Sequence, residues 1–173
     1  VLTYDVDPVY NFRMITEYRN GEKVVKDYTV NAKNQVIQAG DIAVGWDPNG
    51  NMISKSNGFS FQYDFRNRLR KAMLPSGGEV ENIYDTTYRR ILKRTTAPDG
   101  GEVVTVFIWD DDEVIEEYVK SGTEALKLSK QYVVGHAIDQ KISANVDLDG
   151  YGVLETEYYY IQDQLGNVEA IVD

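Results

Sequence analysis

The residues best able to do chemistry in this chain are carboxylates, and they recur. Asp follows an aromatic residue at Tyr4-Asp5, Trp46-Asp47, Tyr63-Asp64, Tyr84-Asp85 and Trp109-Asp110. Tyr28 opens a degenerate copy, with Asn34 where the later turn residue falls. Two carboxylates can act as general acid and base when they converge on one substrate in environments that separate their pKa values. Copies about 20 residues apart in a hairpin array would instead line up along a sheet edge, one per turn. They are therefore expected to be turn residues. The Asp accepts from a backbone N–H two residues on, and Gly or Asn, as at Gly50, then takes the left-handed conformation.

Other candidates for chemistry reduce in the same way. Asp110-Asp111-Asp112-Glu113 and Asp147-Leu148-Asp149-Gly150-Tyr151 offer oxygens for Ca²⁺, which takes six to eight at defined spacing. Residues 147–151 resemble half an EF-hand loop without its distal Glu, and both runs read more simply as solvated turns. No metal and no cofactor is expected. His136 is the single histidine, with no nucleophile at a known spacing and no Gly-x-Ser-x-Gly elbow. There is no cysteine, and no Gly-x-x-x-x-Gly-Lys phosphate loop.

The 28 Asp+Glu outweigh the 18 Lys+Arg, for a net charge of −10. That argues against nucleic-acid binding through a basic face and against docking on an anionic membrane. No apolar run is long enough to span a bilayer as a helix, so no membrane insertion is expected. The one positive zone joins Arg66, Arg68, Arg70 and Lys71 with Arg89, Arg90, Lys93 and Arg94. It is expected to pair internally with acidic neighbours such as those at 110–117. Apolar residues make up 42% and aromatics 12%, with 13 Tyr among them, as for a folded chain with an extended β surface.

The elements that must hold these residues are strands. Prolines and Asn-Gly, Asp-Gly and Gly-Gly pairs mark turns, and runs of Val, Ile, Thr, Tyr and Phe lie between them. Phe59-Ser60-Phe61-Gln62-Tyr63 alternates cleanly. Residues 103–109 are apolar almost throughout, as for a strand covered on both faces. The best helical candidate, 123–130, runs into Tyr132-Val133-Val134, which favours a strand. The expected fold is all-β, in consecutive antiparallel hairpins. The aromatic copies begin at residues 4, 28, 46, 63, 84 and 109, so each repeat of about 20 residues is one hairpin. A hairpin cannot bury its apolar face alone, so stacked copies share a sheet.

This pattern, Tyr-Asp, then Gly or Asn, then Arg-Leu or Asn-Ile, resembles the YD repeat of the Rhs family; Tyr63-Asp64-Phe65-Arg66-Asn67-Arg68-Leu69 and Trp46-Asp47-Pro48-Asn49-Gly50-Asn51-Met52 carry it best. The C-terminal stretch Tyr158-Tyr159-Tyr160-Ile161-Gln162-Asp163-Gln164-Leu165-Gly166-Asn167, ending at Asp173, is similar to the Rhs-associated core. It departs from that core in Gln162 and Gln164, where relatives often carry His, and in Asn167 and Glu169, where Ser and Arg are usual. The resemblance implies a YD-repeat hairpin array over 1–120 and the start of the core region over 121–173. It also implies part of a spiralling sheet or hollow β-shell in a secreted or cell-surface protein that encloses or presents a C-terminal toxin or effector. The implied partners are the other segments of the parent protein and its enclosed domain. No enzymatic activity is implied for this stretch, since self-cleavage and the toxin of bacterial relatives lie further on. The chain opens on Val1 with no signal peptide, as expected of a piece of a longer protein. Two other readings stay open. One is a binding module whose exposed Tyr and Trp engage a glycan or protein at cell contacts. The other is a share in a self-cleaving aspartyl protease, through Asp139 or Asp163. Free strand edges also predict self-association.

Overall fold

Turn signals and strand boundaries coincide. The computed structural model describes residues 2–136, 140–163 and 167–173, and among them it holds strands and no helix. The chain divides into two compact units, one up to Gly77 and one from Gly78 to Asp173. The boundary expected at residue 120 separates motif types, and it falls inside a strand.

The first unit carries β1 (Leu2–Val6), β2 (Phe12–Arg19), β3 (Glu22–Val30), β4 (Val36–Ala39), β5 (Ile42–Trp46), β6 (Met52–Lys55), β7 (Phe59–Tyr63) and β8 (Leu69–Met73). Consecutive strands pair antiparallel from β1 through to β8. The turns explain the pairing. Asn20 (φ 51°) and Gly21 (φ 85°) give the two positive φ angles of a tight two-residue hairpin between Arg19 and Glu22. Tyr4, Phe12 and Tyr28 form an aromatic row, with ring centroids 5.4 and 6.4 Å apart. Phe59 and Phe61 share a face at 6.3 Å.

The second unit repeats the scheme with β9 (Glu79–Tyr84), β10 (Arg90–Thr96), β11 (Glu102–Asp110), β12 (Glu113–Ser121), β13 (Lys127–Val134), β14 (Lys141–Val146), β15 (Thr156–Gln162) and β16 (Val168–Val172). Cross-strand register defines its faces, because directly opposed residues point the same way. Phe107, Glu117, Lys130 and Val146 lie in one row. Tyr132, Ala144 and Tyr158 form another row on that face, with Ala144 buried between the two tyrosines. The opposite face carries the row Val133, Ser143, Tyr159 and Val172.

Burial is sparse. Val104, Phe107 and Ala144 are the buried apolar side chains among the described residues, all in the second unit. The cover expected on both faces of residues 103–109 is partial. Val104 and Phe107, three positions apart and so on opposite faces of β11, are buried, while Val103 and Ile108 stand 41% and 39% exposed. Each face of the strand is covered at one position and open at another.

Candidate functional site

The recurrent carboxylates build one turn, repeated. At Asp7, Asn31, Asp47, Asp64, Asp85 and Asp163 the backbone N–H donates to the carbonyl four residues on, at 2.9–3.0 Å. The residue three positions on takes positive φ at Tyr10 (65°), Asn34 (58°), Gly50 (89°), Asn67 (60°) and Tyr88 (73°). This is a type I turn closed by a left-handed bulge residue. The side chain then completes it. Oδ1 accepts the backbone N–H of the fourth residue on, at 2.8–3.1 Å in all six copies. Oδ2 accepts that same residue's side chain, from Asn11, Asn51, Arg68, Arg89 and Asn167, at 2.7–3.0 Å. At Asn31 the polarity reverses, and its amide donates to Gln35 Oε1 at 2.8 Å.

The fourth residue also reaches sideways. Asn11 donates to Asn34 Oδ1 (3.2 Å), Asn51 to Asn67 Oδ1 (2.8 Å) and Arg89 to the Asp111 carbonyl (2.9 Å). Each of these acceptors is the positive-φ residue of the next turn on the same edge. The edge of each unit is thus stitched, turn to turn, by side chains. Tryptophans add a further stitch: Trp46 Nε1 donates to the Val36 carbonyl at 2.9 Å and Trp109 Nε1 to the Arg90 carbonyl at 3.1 Å.

These carboxylates are tuned for structure. Partial burial works to raise the Asp85 pKa, but donors from Arg89 and Thr87 outweigh it and hold it down at about 2. Asp64 is lowered by the same balance, burial against Arg68 and its neighbours. In Asp47 the Asn51 side chain leads the lowering. All three stay ionised at neutral pH, and none is placed as a proton donor. A carboxylate depressed in the fold contributes stability above its unfolded pKa and loses it as pH falls through the folded value. The melting temperature is therefore expected to fall between about pH 4 and pH 2. Asp85→Asn should flatten that limb, and thermal melts across this range would check it; an unchanged slope would contradict the role.

Tyr10 bears the cost of a left-handed backbone while 85% exposed. That conformation disfavours side-chain-bearing residues by about 1–2 kcal/mol. Tyr10→Gly is expected to stabilise the first unit by about 1 kcal/mol, measured by chemical denaturation.

Not every expected residue takes the expected place. Asp5 lies inside β1 opposite Met14, and the turn is set by Asp7 two residues later. Asp110 ends β11 opposite Glu113, with Asp111 (φ 45°) in a two-residue connection. Tyr28 stands three residues ahead of its turn residue, Asn31, whereas Trp46, Tyr63 and Tyr84 directly precede theirs. Asp163 belongs to the same turn class as Asp47. Leu165, Gly166 and Asp139 lie outside the described residues, and His136 is exposed. The acidic run disperses, with Glu113 ion-paired to Lys141 at 2.9 Å. The basic cluster pairs with its own turns, Arg68 with Asp64 and Arg89 with Asp85 at 2.7 Å, while Arg94 meets Glu81 and Glu102. Asp147, Asp149 and Glu155 come together, but their oxygens accept backbone N–H groups of Gly150, Gly152, Tyr151 and Leu148. That makes them the cap of a loop.

The residues missed from sequence are the donors four positions after each Asp. The spacing was visible, as Asp7 to Asn11, Asp47 to Asn51, Asp64 to Arg68, Asp85 to Arg89 and Asp163 to Asn167.

No protein-family model matches the chain, and no curated protein matches it. Solved structures do. The Photorhabdus luminescens Tc holotoxin pore, carrying a TccC3 mutation, matches with a TM-score of 0.50 at 12% identity, over 99% of this chain and 12% of that one. A TcdB2-TccC3-Cdc42 crystal structure matches with a TM-score of 0.48 at 12% identity, over 99% and 12% of the two chains. The likeness to the holotoxin chain is one of fold, and this chain spans about an eighth of its length.

Proposed function

We propose that the chain is a wall segment of a larger β-shell, exported or displayed at a surface, that encloses or presents another polypeptide. The observation that carries this is the combination, among the described residues, of sixteen strands in chain order with few buried side chains. A globular enzyme or binding domain of this length buries a compact interior, whereas a wall leaves both faces available to what lies on either side. The stitched turn edges suit a wall too, since they rigidify a single layer without a second one. The fold likeness to a stretch of the Tc holotoxin chain supports the same assignment, and the Rhs-type repeats supply its toxin-enclosing sense. Asp163, a candidate for self-cleavage, has its oxygens engaged by Asn167 and sits as one more turn cap.

Electron microscopy of the full-length gene product, with limited proteolysis, tests this. The expected result is a hollow particle in which these hairpins form part of the wall and an enclosed segment resists protease until the wall is opened. A compact, solid domain with this segment at its surface would overturn it.

A further inference from the structure

One feature of the second unit is unused by the wall. On the face that carries Phe107 and Tyr132, a cavity of about 430 Å³ opens between Tyr84, Phe107, Trp109, Tyr132, Arg90 and Lys141. Its volume falls in the range of small-ligand sites, and five aromatic side chains, Tyr84, Tyr88, Phe107, Trp109 and Tyr132, contribute to its walls. Its charges are not equivalent. Arg89 is held by Asp85 and the Asp111 carbonyl, and Lys141 is held by Glu113 while lying over the Tyr132 ring at 5.1 Å. Glu117, on the same wall, accepts the Tyr132 hydroxyl at 2.7 Å and has Lys130 at 4.0 Å. Arg90 differs. Its guanidinium lies over the Phe107 ring, 4.7 Å from the centroid, and among the described residues its side chain makes no ion pair and no hydrogen bond. With the ring on one side and no hydrogen bond taken, the N–H groups of the guanidinium are available to a ligand.

We propose that this cavity is a binding site for a carboxylate attached to an apolar or aromatic body, with the carboxylate taken by Arg90 and the body stacked between Trp109 and Tyr132. A planar fork matches a carboxylate bidentately. A single uncompensated cation suits a monoanion, and the chain's net charge of −10 disfavours polyanions. The carboxylate can come from a free small acid or from an acidic side chain on an extended peptide. The site stands on its own geometry and holds whether or not the chain is a shell wall.

The test uses the full chain carrying Trp46→Phe, which leaves Trp109 as the only tryptophan reporter. Titration with 3-phenylpropionate is expected to shift Trp109 emission saturably, and 3-phenylpropionamide should bind at least tenfold more weakly. Arg90→Gln should abolish the preference for acid over amide, Arg90→Lys should keep part of it, and Lys141→Gln should leave it in place. N-acetyl-Phe-Glu-amide competing more tightly than the free acid would identify a peptide as the source, and the reverse order a small molecule. Equal binding of acid and amide by a protein with unaltered circular dichroism would overturn the proposal. So would an acid preference that survives Arg90→Gln, or no saturable shift.

Discussion

In isolation the chain is expected to self-associate, with an apparent mass by light scattering that rises with concentration. All five residues of β1 and all five of β16 are exposed, and each strand is paired along one side only. An unpaired edge presents a row of backbone donors and acceptors to any other strand, and proteins that stay monomeric blunt such edges with Lys, Pro or bulges. β16 has no Lys and no Pro, and its one bulge lies at its start, at Glu169: it reads Val168-Glu169-Ala170-Ile171-Val172, with a single charge. Val168→Lys together with Val172→Lys, at positions 48% and 43% exposed, should raise the concentration needed for association by at least tenfold. Monomeric behaviour of the unmodified chain at every concentration would show that the edges are capped by something other than a strand. If the double variant fails to change association, the contact runs through the β1 edge or the sheet faces.

Much of the fold was legible from local signals alone. Asn20-Gly21 dictates its own two-residue turn, and the alternation in 59–63 dictates a strand with Phe59 and Phe61 on one side. An antiparallel meander needs only such local rules, because each strand pairs with its chain neighbour and no distant partner must be guessed. Which positions of an apolar run find cover was not legible. Residues 103–109 are apolar almost throughout, and nothing in their spacing says that Val104 is buried while Ile108, on the same face, is 39% exposed. That depends on what stands against the strand, which periodicity does not encode.

The candidate site divides in the same way. An aromatic-Asp pair marks a turn in Trp46-Asp47, Tyr63-Asp64 and Tyr84-Asp85 because the aromatic closes a strand directly before the cap. At the first turn the residue before the cap is Val6, so the aromatic signal pointed to Asp5, and the cap is Asp7. The i, i+4 relation to Asn or Arg would have found it, since Asp7 pairs with Asn11 just as Asp47 pairs with Asn51. The pocket was beyond sequence. Arg90 reads as one more cation in a cluster, and only cross-strand register sets it over Phe107, away from the carboxylates that take Arg89 and Arg94.

Phe107→Ala is expected to be the most damaging single truncation in the second unit, at about 3 kcal/mol, or a fall in melting temperature of about 9 °C. Phe107 is 9% exposed, opposes Glu117 across the β11–β12 ladder and lies under Arg90. Its removal loses the burial of a large ring and a cation–π contact of about 0.5–2 kcal/mol. The loss should sit at the low end of the range for buried Phe, because in a single layer water can enter the gap it leaves. Ile108 is the informative control. It is the next residue, points to the other face and is 39% exposed, so Ile108→Ala should cost under about 1 kcal/mol. Denaturant melts of the two variants at low protein concentration would measure the difference between the two positions. A comparable cost for both would mean that Ile108 is covered in solution, and a second copy docked there would then show as a concentration-dependent midpoint for Ile108→Ala alone. A cost confined to Phe107 would make the ring beneath Arg90 a principal anchor of β11. The packing that holds β11 in place would then also be the packing that presents the free guanidinium.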